Sequence, residues 1–459
     1  MRLPKQPPDP AQLTEKLLSE PKLLRTVVNA GLFSATVRDR YVHWDKLRFL
    51  PALEGITHEQ WWSAIKLARN SILRPLPLVD PEGKAFKVAT PDSLQRQLSE
   101  LDRDLSGRVP VPEQIRNPAT RDTYIVSALI EEAITSSQLE GATSTRKVAA
   151  EMLRSGRKPR DRAERMIYNN FDAMQLIRRL ASEPLTPELV FEIHRRVTRD
   201  TLNDPADAGR LRPGDDIVVE DTKDQTQLHV PPPAAQLERR LAAMCEFANE
   251  ASPSYYIHPI VRATLLHFWL AYDHPFVDGN GRTARALFYW SMLRSGYWLT
   301  EFLSISQILR KAPAKYARAY LYAETDENDA TYFVLYQLGV LGRSIRALHE
   351  YVRRKMSEIQ KMQALAKRSQ AFNYRQMALL GHALGDKYSQ FTVSSHANSH
   401  NVTRQTARND LIKLVDLGLL TSVKVGRGLF FYTTDDLEER LSQLGRGHAD
   451  GPRSMPRGT

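Results

Sequence analysis

Cysteine is almost absent from this sequence of 459 residues, since Cys245 is the only one. A lone cysteine forms neither an internal disulfide nor a cysteine-based metal site, so the disulfide-rich secreted class is excluded and a reducing, cytoplasmic location is expected. Long apolar runs are lacking too: those around Leu265 to Tyr272 are far too short to cross a bilayer, and the first residues lack the apolar core of a signal peptide. We therefore expect a protein that has no membrane partner.

Acidic residues are outnumbered by basic ones, with 53 Asp and Glu against 64 Lys and Arg, a net charge of +11 and a pI near 9.5. A surface of this sign favours polyanions such as nucleotides or nucleic acid. The 42% of hydrophobic and 25% of charged residues are typical of globular proteins and exclude a mainly disordered chain. At roughly 100–200 residues per domain, the length predicts two to four folded units.

Apolar residues recur every three to four positions through most of the chain, which predicts a mainly α fold. Ile217, Val218 and Val219, then a polar stretch, then Leu228-His229-Val230 predict a short β-hairpin inserted among the helices. The predicted parts are a helical N-terminal region over 1–110, an all-α domain over 111–348, a basic helical linker over 349–376, a winged helix-turn-helix unit over 377–444 and a disordered tail over 445–459.

The most informative stretch runs from His274 to Arg285 and reads His-Pro-Phe-Val-Asp-Gly-Asn-Gly-Arg-Thr-Ala-Arg. It lies between an apolar helix and another helix that is predicted to open at Thr283. Gly279 and Gly281 flank Asn280, so consecutive backbone N–H groups can turn toward one point. Together with the N-terminus of the following helix, they predict an anion nest that suits phosphate.

Charged side chains complete this motif. Arg282 and Arg285 lie three residues apart on the first turn of the helix, so both guanidinium groups can clamp phosphate oxygens from one side. Asp278 offers one hard oxygen ligand, which suits Mg²⁺ held mostly by water and phosphates. His274 has the pKa range to take a proton from a hydroxyl at neutral pH. The alternative is a helix connector with a capping aspartate and a solvated arginine pair, but the joint spacing favours a catalytic site.

This stretch resembles the signature of the Fic family, H-P-F-x-[D/E]-G-N-G-R-x-x-R, and matches it at every specified position. The resemblance covers about 121–348 and implies a helical Fic catalytic domain. It also implies an enzyme that transfers AMP from ATP to a Ser, Thr or Tyr hydroxyl of a protein, with pyrophosphate as the leaving group. The hairpin with Ile217, Val218 and Val219 would then be a flap that docks the target segment by strand addition.

The roles of the family carry over to matching positions of this sequence. The resemblance implies that His274 is the general base, Asp278 the Mg²⁺ ligand and Gly279 to Gly281 the anion hole. It implies that Arg282 contacts the β-phosphate of ATP and Arg285 the γ-phosphate. The expected partners are therefore Mg²⁺, ATP and a target protein, which can be the chain itself, and the frequency of dimers in the family leaves a homodimer open.

A second motif precedes the first. Ser136-x-x-x-Glu140-Gly141 ends a helix predicted over about 123–141, with Gly141 as its C-terminal cap. It matches the inhibitory motif of the family, [S/T]-x-x-x-E-[G/N]. A carboxylate paired with Arg285 removes that guanidinium from the γ-phosphate and puts negative charge where phosphate must lie. The resemblance thus implies autoinhibition, and it leaves open the removal of AMP from proteins with the help of Glu140.

The C-terminal unit has residues that are typical of DNA contacts. Its predicted recognition helix carries Arg404, Gln405 and Arg408, and the predicted wing carries Lys424 and Arg427. The alternative is a protein-docking module with a solvated basic face. The second functional hypothesis is therefore a DNA-binding regulator whose core senses a nucleotide or modifies the regulator itself.

Three histidines outside the motif are predicted to be structural. His194 and His267 lie on mostly apolar helices, where a buried and hydrogen-bonded ring is the common case. His258 precedes Pro259 and is expected to begin a helix. The spacing of His267 from His274 lacks the compact pattern of a zinc site.

Overall fold

The computed structural model describes residues 2–29, 31–51, 55–106, 113–221, 224–365, 372–385, 389–425, 428–434 and 436–446. These residues are mostly helical with a few short strands, so the predicted mainly α fold class is confirmed. Within these ranges, no helix combines the length and the apolar character that a membrane span requires.

The first part of the chain has a small core of its own. Trp62 and Ile65 are fully buried in it together with Leu47. Thr57 and Gln60 form a capping box that fixes the start of the longest helix of this part. Its helices are α1 (Pro10–Ser19), α2 (Pro21–Asn29), α3 (Trp44–Leu47) and α4 (His58–Asn70).

An antiparallel hairpin follows that the sequence analysis did not predict. Its strands are β1 (Arg74–Val79) and β2 (Ala85–Val88), and helix α5 (Asp92–Leu105) comes next. The first strand was not predicted because it contains Pro75 and Pro77, and proline within an apolar run argues against a strand. Leu76 and Phe86 are buried in the main core of the protein. The main core therefore includes residues before 111, although the all-α domain was predicted to begin at residue 111.

Helices and one small hairpin form the rest of this main body. Helices α12 and α13 pack against each other at its centre, and almost all of their residues are buried. The elements are α6 (Glu113–Arg116), α7 (Pro118–Leu139), α8 (Arg146–Ser155), α9 (Arg162–Arg179), α10 (Pro187–Thr198), β3 (Val219–Glu220), β4 (Gln227–His229), α11 (Leu237–Ala248), α12 (Pro259–Asp273), α13 (Asn280–Arg294), α14 (Ile305–Arg310), α15 (Pro313–Thr325) and α16 (Thr331–Leu365).

Two of these elements differ from the predicted ones. Helix α16 continues through residue 348, where we predicted a domain end and a separate linker, because the following residues are strong helix formers without proline or glycine. The predicted hairpin exists, but its strands are shorter: Val219 pairs with His229 and Glu220 with Gln227. Ile217 and Val218 precede the first strand. We call the segment from 213 to 232 the flap.

The C-terminal unit has a separate core and a three-stranded antiparallel sheet of order β5-β7-β6. Helix α18 packs on α7 and α8 of the main body, where His400 Nδ1 lies 2.8 Å from Thr123 Oγ1. From residue 447 onward, the predicted tail lies outside the described residues. The elements are α17 (Tyr374–Gly385), β5 (Gln390–Thr392), α18 (Val393–His400), α19 (Arg404–Asp416), β6 (Leu420–Val425), β7 (Gly428–Thr433) and α20 (Leu437–Arg446).

Candidate active site

The loop that joins α12 to α13 carries the predicted site, and we call this loop, from His274 to Gly279, the catalytic loop. Helix α12 ends at Asp273 and is capped by His274, whose N–H donates to Leu270 O and whose φ is +44°. This left-handed conformation is unfavourable for a residue other than glycine, so the surrounding structure must hold it in place. The turn directs the chain toward the N-terminus of α13.

Arg212 holds this turn and was not among the predicted site residues. Its Nε donates to His274 O at 3.1 Å, and its backbone N–H donates to Pro275 O at 2.9 Å. The same buried side chain donates to Gly214 O and Pro232 O, which lie near the two ends of the flap. Arg212 thus joins the catalytic loop to both stems of the flap. Its signal in the sequence, an arginine before the hairpin, is too weak to assign this role.

A buried ion pair fixes the end of α12. Arg240 Nε and Nη2 lie 2.8 and 2.6 Å from Asp273 Oδ1, and Trp269 Nε1 donates to Asp273 Oδ2 at 2.9 Å. Arg240 Nη2 also donates to Val79 O. The residue before His274 is therefore held by Arg240 of α11, which is itself bonded to β1.

We expect Arg240→Ala to lower the free energy of unfolding by about 3–5 kcal/mol, because it leaves the Asp273 carboxylate buried without its partner. The matched control is Arg239→Ala, which removes an exposed arginine from the same helix and is expected to change stability by about 0.5 kcal/mol or less. Denaturant unfolding of both variants measures the difference. Equal stabilities would show that the pair does not fix the end of α12.

Glycine is required at the turn into α13. Gly279 has a φ of +86°, and a Cβ there would lie 2.6 Å from Thr198 Cγ2. Asn280 holds the loop through its amide, since Phe276 N donates to its Oδ1 at 2.9 Å and its Nδ2 donates to Phe276 O at 2.8 Å. The first helical hydrogen bond comes from Thr283 N, so the N–H groups of the first turn precede the internal hydrogen bonds of α13.

His194 supports this loop from α10, although it was predicted to be only structural. Its ring stacks on Phe276 with 3.8 Å between centroids. Gly209 N–H donates to His194 Nδ1, so Nε2 carries the proton and donates to Asp278 O at 2.8 Å. Burial lowers the pKa of His194 to about 4, which keeps the ring neutral. The prediction that it is buried and hydrogen-bonded holds, and its partners lie in the loop itself.

The two arginines of the motif lie in the first two turns of α13. Arg282 is fully buried and donates to Val197 O at 2.6 Å, with Asp278 Oδ1 3.5 Å from its Nη2. Among the described residues, its Nε has no hydrogen-bond partner. A buried guanidinium with an unsatisfied N–H next to a helix N-terminus suits an anion.

Arg285 is held by the second predicted motif. Its Nε donates to Ser136 Oγ at 2.8 Å, and its Nη2 donates to Glu140 Oε1 at 2.8 Å. Arg285 is 2% exposed and Glu140 28%. A Cβ at Gly281 would collide with Glu140 Oε1, so the carboxylate lies directly on the first turn of α13. Gly141, with a φ of +90°, follows the end of α7 as predicted.

The electrostatics of His274 favour a neutral ring. Its pKa is lowered to about 4, mainly by burial and also by the charges of His229 and Arg212, while the backbone hydrogen bond of Ala271 and the Glu140 carboxylate act in the opposite direction. A neutral imidazole at physiological pH can accept a proton. Asp278 belongs to the loop and is partly exposed, with Oδ2 3.3 Å from Arg162 Nη2.

The structure therefore brings the predicted catalytic, phosphate-binding and inhibitory residues together from α7, the catalytic loop and α13. The basic residues of the C-terminal unit lie elsewhere: Arg404, Gln405 and Arg408 are exposed on α19 and Lys424 is exposed on β6. Arg427 lies outside the described residues. Within the described ranges, no group of three or more His, Cys, Asp or Glu side chains could hold a metal ion.

Comparison with known proteins gives matches in the same region. A family model described as Fic/DOC matches residues 184–292. The protein adenylyltransferase Fic of Nematostella vectensis is 29% identical over 218 residues, which cover 47% of this chain and 47% of that protein. The protein adenylyltransferase fic-1 of Caenorhabditis elegans is 37% identical over 112 residues, which cover 24% of this chain and 19% of that protein. A crystal structure of a Fic family protein from Desulfovibrio desulfuricans G20 has 20% identity and a TM-score of 0.46, covering 74% of this chain and 96% of that one.

The chain spans about half the length of the Nematostella relative and about a fifth of the nematode one. The segment matched by the family model contains His194, Arg212, the flap and the whole motif from His274 to Arg285, whereas Ser136 and Glu140 precede it. Residues 184–292 of this chain therefore form a Fic domain.

Proposed function

We propose that this protein is an adenylyltransferase that moves AMP from ATP to a Ser, Thr or Tyr hydroxyl of a protein. The observation that carries the proposal is the start of α13, where the buried Arg282 has an N–H without a partner in the described part of the chain and Arg285 lies one turn further on. His274 lies on the loop that leads into α13. The relatives from Nematostella and Caenorhabditis, which are named protein adenylyltransferases, support this chemistry.

The proposed reaction is a single displacement at the α-phosphorus of ATP. The neutral ring of His274 takes the hydroxyl proton, and the hydroxyl oxygen forms a bond to the α-phosphorus. The bond from that phosphorus to the bridging oxygen of the β-phosphate breaks, and pyrophosphate leaves with the electron pair. Arg282 and Arg285 hold the β- and γ-phosphates, where negative charge develops. The N–H groups at the start of α13 orient the phosphates.

Asp278 fits the Mg²⁺ that this reaction requires. Its carboxylate projects from the loop and is partly exposed, and one oxygen ligand suffices for an ion that keeps several waters and binds substrate phosphates. When bound, Mg²⁺ would neutralise charge on the phosphates. Arg162 lies next to the same carboxylate and would compete with the ion for Oδ2.

Self-inhibition is the second part of the proposal. Glu140 takes up one guanidinium nitrogen of Arg285 and Ser136 takes up another, so Arg285 has little capacity left for the γ-phosphate. The Glu140 carboxylate also lies against Gly281, where it would repel a triphosphate. We infer that ATP binds weakly or in an unproductive pose until Glu140 moves away.

Transfer of label from α-labelled ATP with Mg²⁺ tests the chemistry. Glu140→Gly and Glu140→Gly/His274→Ala are incubated alone and with a lysate, and labelled protein is measured. We expect labelled protein with the single variant only. No label from a folded Glu140→Gly protein would overturn the proposal, and release of AMP from a previously modified protein would favour the reverse reaction.

The C-terminal unit supports a second function, binding of duplex DNA. Its order of helix, strand, two helices and two strands is that of a winged helix, with α19 in the place of the recognition helix. Arg404, Gln405 and Arg408 are all exposed on that helix. We infer that α19 lies in the major groove and that Lys424 contacts the phosphate backbone.

We expect Arg404→Ala/Arg408→Ala to weaken duplex binding by about tenfold or more and to lower the salt dependence, log Kd against log salt, by about 2. The control is Arg353→Ala, which removes an exposed arginine from α16. Fluorescence anisotropy with a labelled duplex at several salt concentrations measures both quantities. Unchanged binding, or an equal loss in the control, would mean that α19 does not enter the groove and would favour a protein-docking role.

A further inference from the structure

His229 of the flap has an unusual pair of partners. It lies on β4, where it pairs with Val219, and its side chain is 9% exposed. Its Nδ1 lies 2.7 Å from Glu324 Oε2 on α15, and its Nε2 lies 2.7 Å from Tyr272 O on α12. A carboxylate and a carbonyl both accept hydrogen bonds. Both ring nitrogens must therefore donate, and that requires the imidazolium form.

This ring joins three elements around the active site. Tyr272 lies two residues before His274, so the hydrogen bond from Nε2 attaches the flap to the last turn of α12. The hydrogen bond from Nδ1 attaches the same strand to α15. Arg212 holds the stems of the flap, whereas His229 holds its second strand. Without His229, the second flap strand would lose its hydrogen bonds to both α12 and α15.

The charges around His229 are compatible with a cationic ring. Glu324 faces it from α15, and Asp273, already paired with Arg240, lies on the α12 side. The Tyr272 ring is 4.6 Å away between centroids, and His274 is close enough to be affected by the charge. Burial lowers the pKa of His229, but the hydrogen bond and charge of Glu324 more than offset this and raise it above the ordinary value.

We propose that His229 is a positioning residue which, as an imidazolium, holds the second flap strand against the C-terminal end of α12, next to His274. This inference rests on the proposed function, since the pinned strand would set the distance between a docked target hydroxyl and the base. A neutral ring has only one N–H donor, so it must lose the hydrogen bond either to Glu324 or to Tyr272 O. Transfer to protein is therefore expected to fall as pH rises through the pKa of His229, while ATP binding stays the same.

The protonation state can be measured without any activity. In ¹⁵N spectra of the full chain, the His229 ring is identified by its loss in His229→Gln. We expect both ring nitrogens to be protonated at pH 7.5, where a free histidine is about 90% neutral. Glu324→Gln is expected to make the ring neutral at that pH. A neutral His229 in the unchanged protein would overturn the proposal.

The positioning role is tested in the Glu140→Gly background. We expect His229→Gln to lower labelling of protein by about tenfold or more, the effect of one charge-assisted hydrogen bond, with the Kd for ATP changed less than twofold. The matched control is His258→Gln, which breaks another histidine–carboxylate pair, to Asp102 at 2.9 Å, outside the site. It is expected to label protein like its parent.

Two results would contradict the role of His229. One is a folded His229→Gln variant that labels protein at the rate of its parent, and the other is an equal loss in His258→Gln. If His229→Gln does not fold, Glu324→Gln carries the test: the high-pH fall in labelling must move to lower pH. Absence of labelling by the Glu140→Gly parent itself would count against the proposed function. The ¹⁵N spectra would still decide whether the His229 ring is an imidazolium.

Discussion

Replacing Glu140 with glycine is expected to raise AMP transfer by roughly 10- to 100-fold, because a charge-assisted hydrogen bond contributes about 1.5–3 kcal/mol. The change removes the acceptor that lies 2.8 Å from Arg285 Nη2 and the negative charge against Gly281. The Arg285 guanidinium and the space next to Gly281 then become available to the γ-phosphate. Glu140 follows the last residue of α7, so a glycine there does not interrupt the helix.

The gain should appear mainly as tighter or more productive binding of ATP. Calorimetry gives the Kd for ATP, and incorporation of label from α-labelled ATP gives the rate of transfer. Glu140→Gln separates charge from shape, since it keeps the size of the side chain and removes the repulsion. We expect its Kd for ATP and its rate of transfer to lie between those of the unchanged protein and those of Glu140→Gly. Arg285→Ala in the Glu140→Gly background should remove the gain, because the γ-phosphate then lacks its partner.

The control is Glu131→Gln on the same helix. Glu131 pairs with Arg146 at 2.7 Å, and that arginine is largely exposed, so this carboxylate does not face the phosphate site. Transfer should remain at the parent's level. If Glu140→Gly and Glu131→Gln raised transfer equally, a general loosening of α7 would be the cause, and the direct competition for Arg285 would be wrong.

The catalytic motif could be predicted because its residues are contiguous. Twelve consecutive residues of one loop and the start of one helix carry the proposed base, the proposed metal ligand and both arginines, and local geometry alone brings them together. The partner of Arg285 could be predicted only through the resemblance to a known motif. No local rule links Ser136 and Glu140 to a residue about 150 positions later, since the link is made by packing of α7 on α13.

The residues that hold the site in shape could not be predicted, and the reason is the same for each. Arg212, His229 and Arg240 act through backbone carbonyls or single carboxylates of other elements. Such partners leave no pattern in the sequence, because any residue supplies a carbonyl. His194 illustrates the limit: its apolar helix predicted a buried ring, but only the fold shows that the ring contacts Phe276 and Asp278.

His274→Ala in the Glu140→Gly background is expected to lower transfer by about 10²–10⁴-fold, which is the usual contribution of a general base. The Kd for ATP should change little, because no described contact of His274 points to the phosphate-binding arginines. Single-turnover labelling separates the chemical step from binding. His267→Ala is not a suitable control, since it empties a buried position next to Tyr316. His258→Gln, far from the loop, is the better one.

The pH dependence gives an independent test of this role. Because burial lowers the pKa of His274 to about 4, the ring of the free protein is neutral above that pH, and kcat/KM should be level from about pH 5.5 to neutrality and fall as pH drops toward 4. Bound ATP adds negative charge, which favours the protonated ring and raises its pKa. The acid limb of kcat, which reports the ATP complex, should therefore lie at higher pH than that of kcat/KM. Coincident limbs would indicate that the titrating group is not beside the phosphates and would count against His274 as the base.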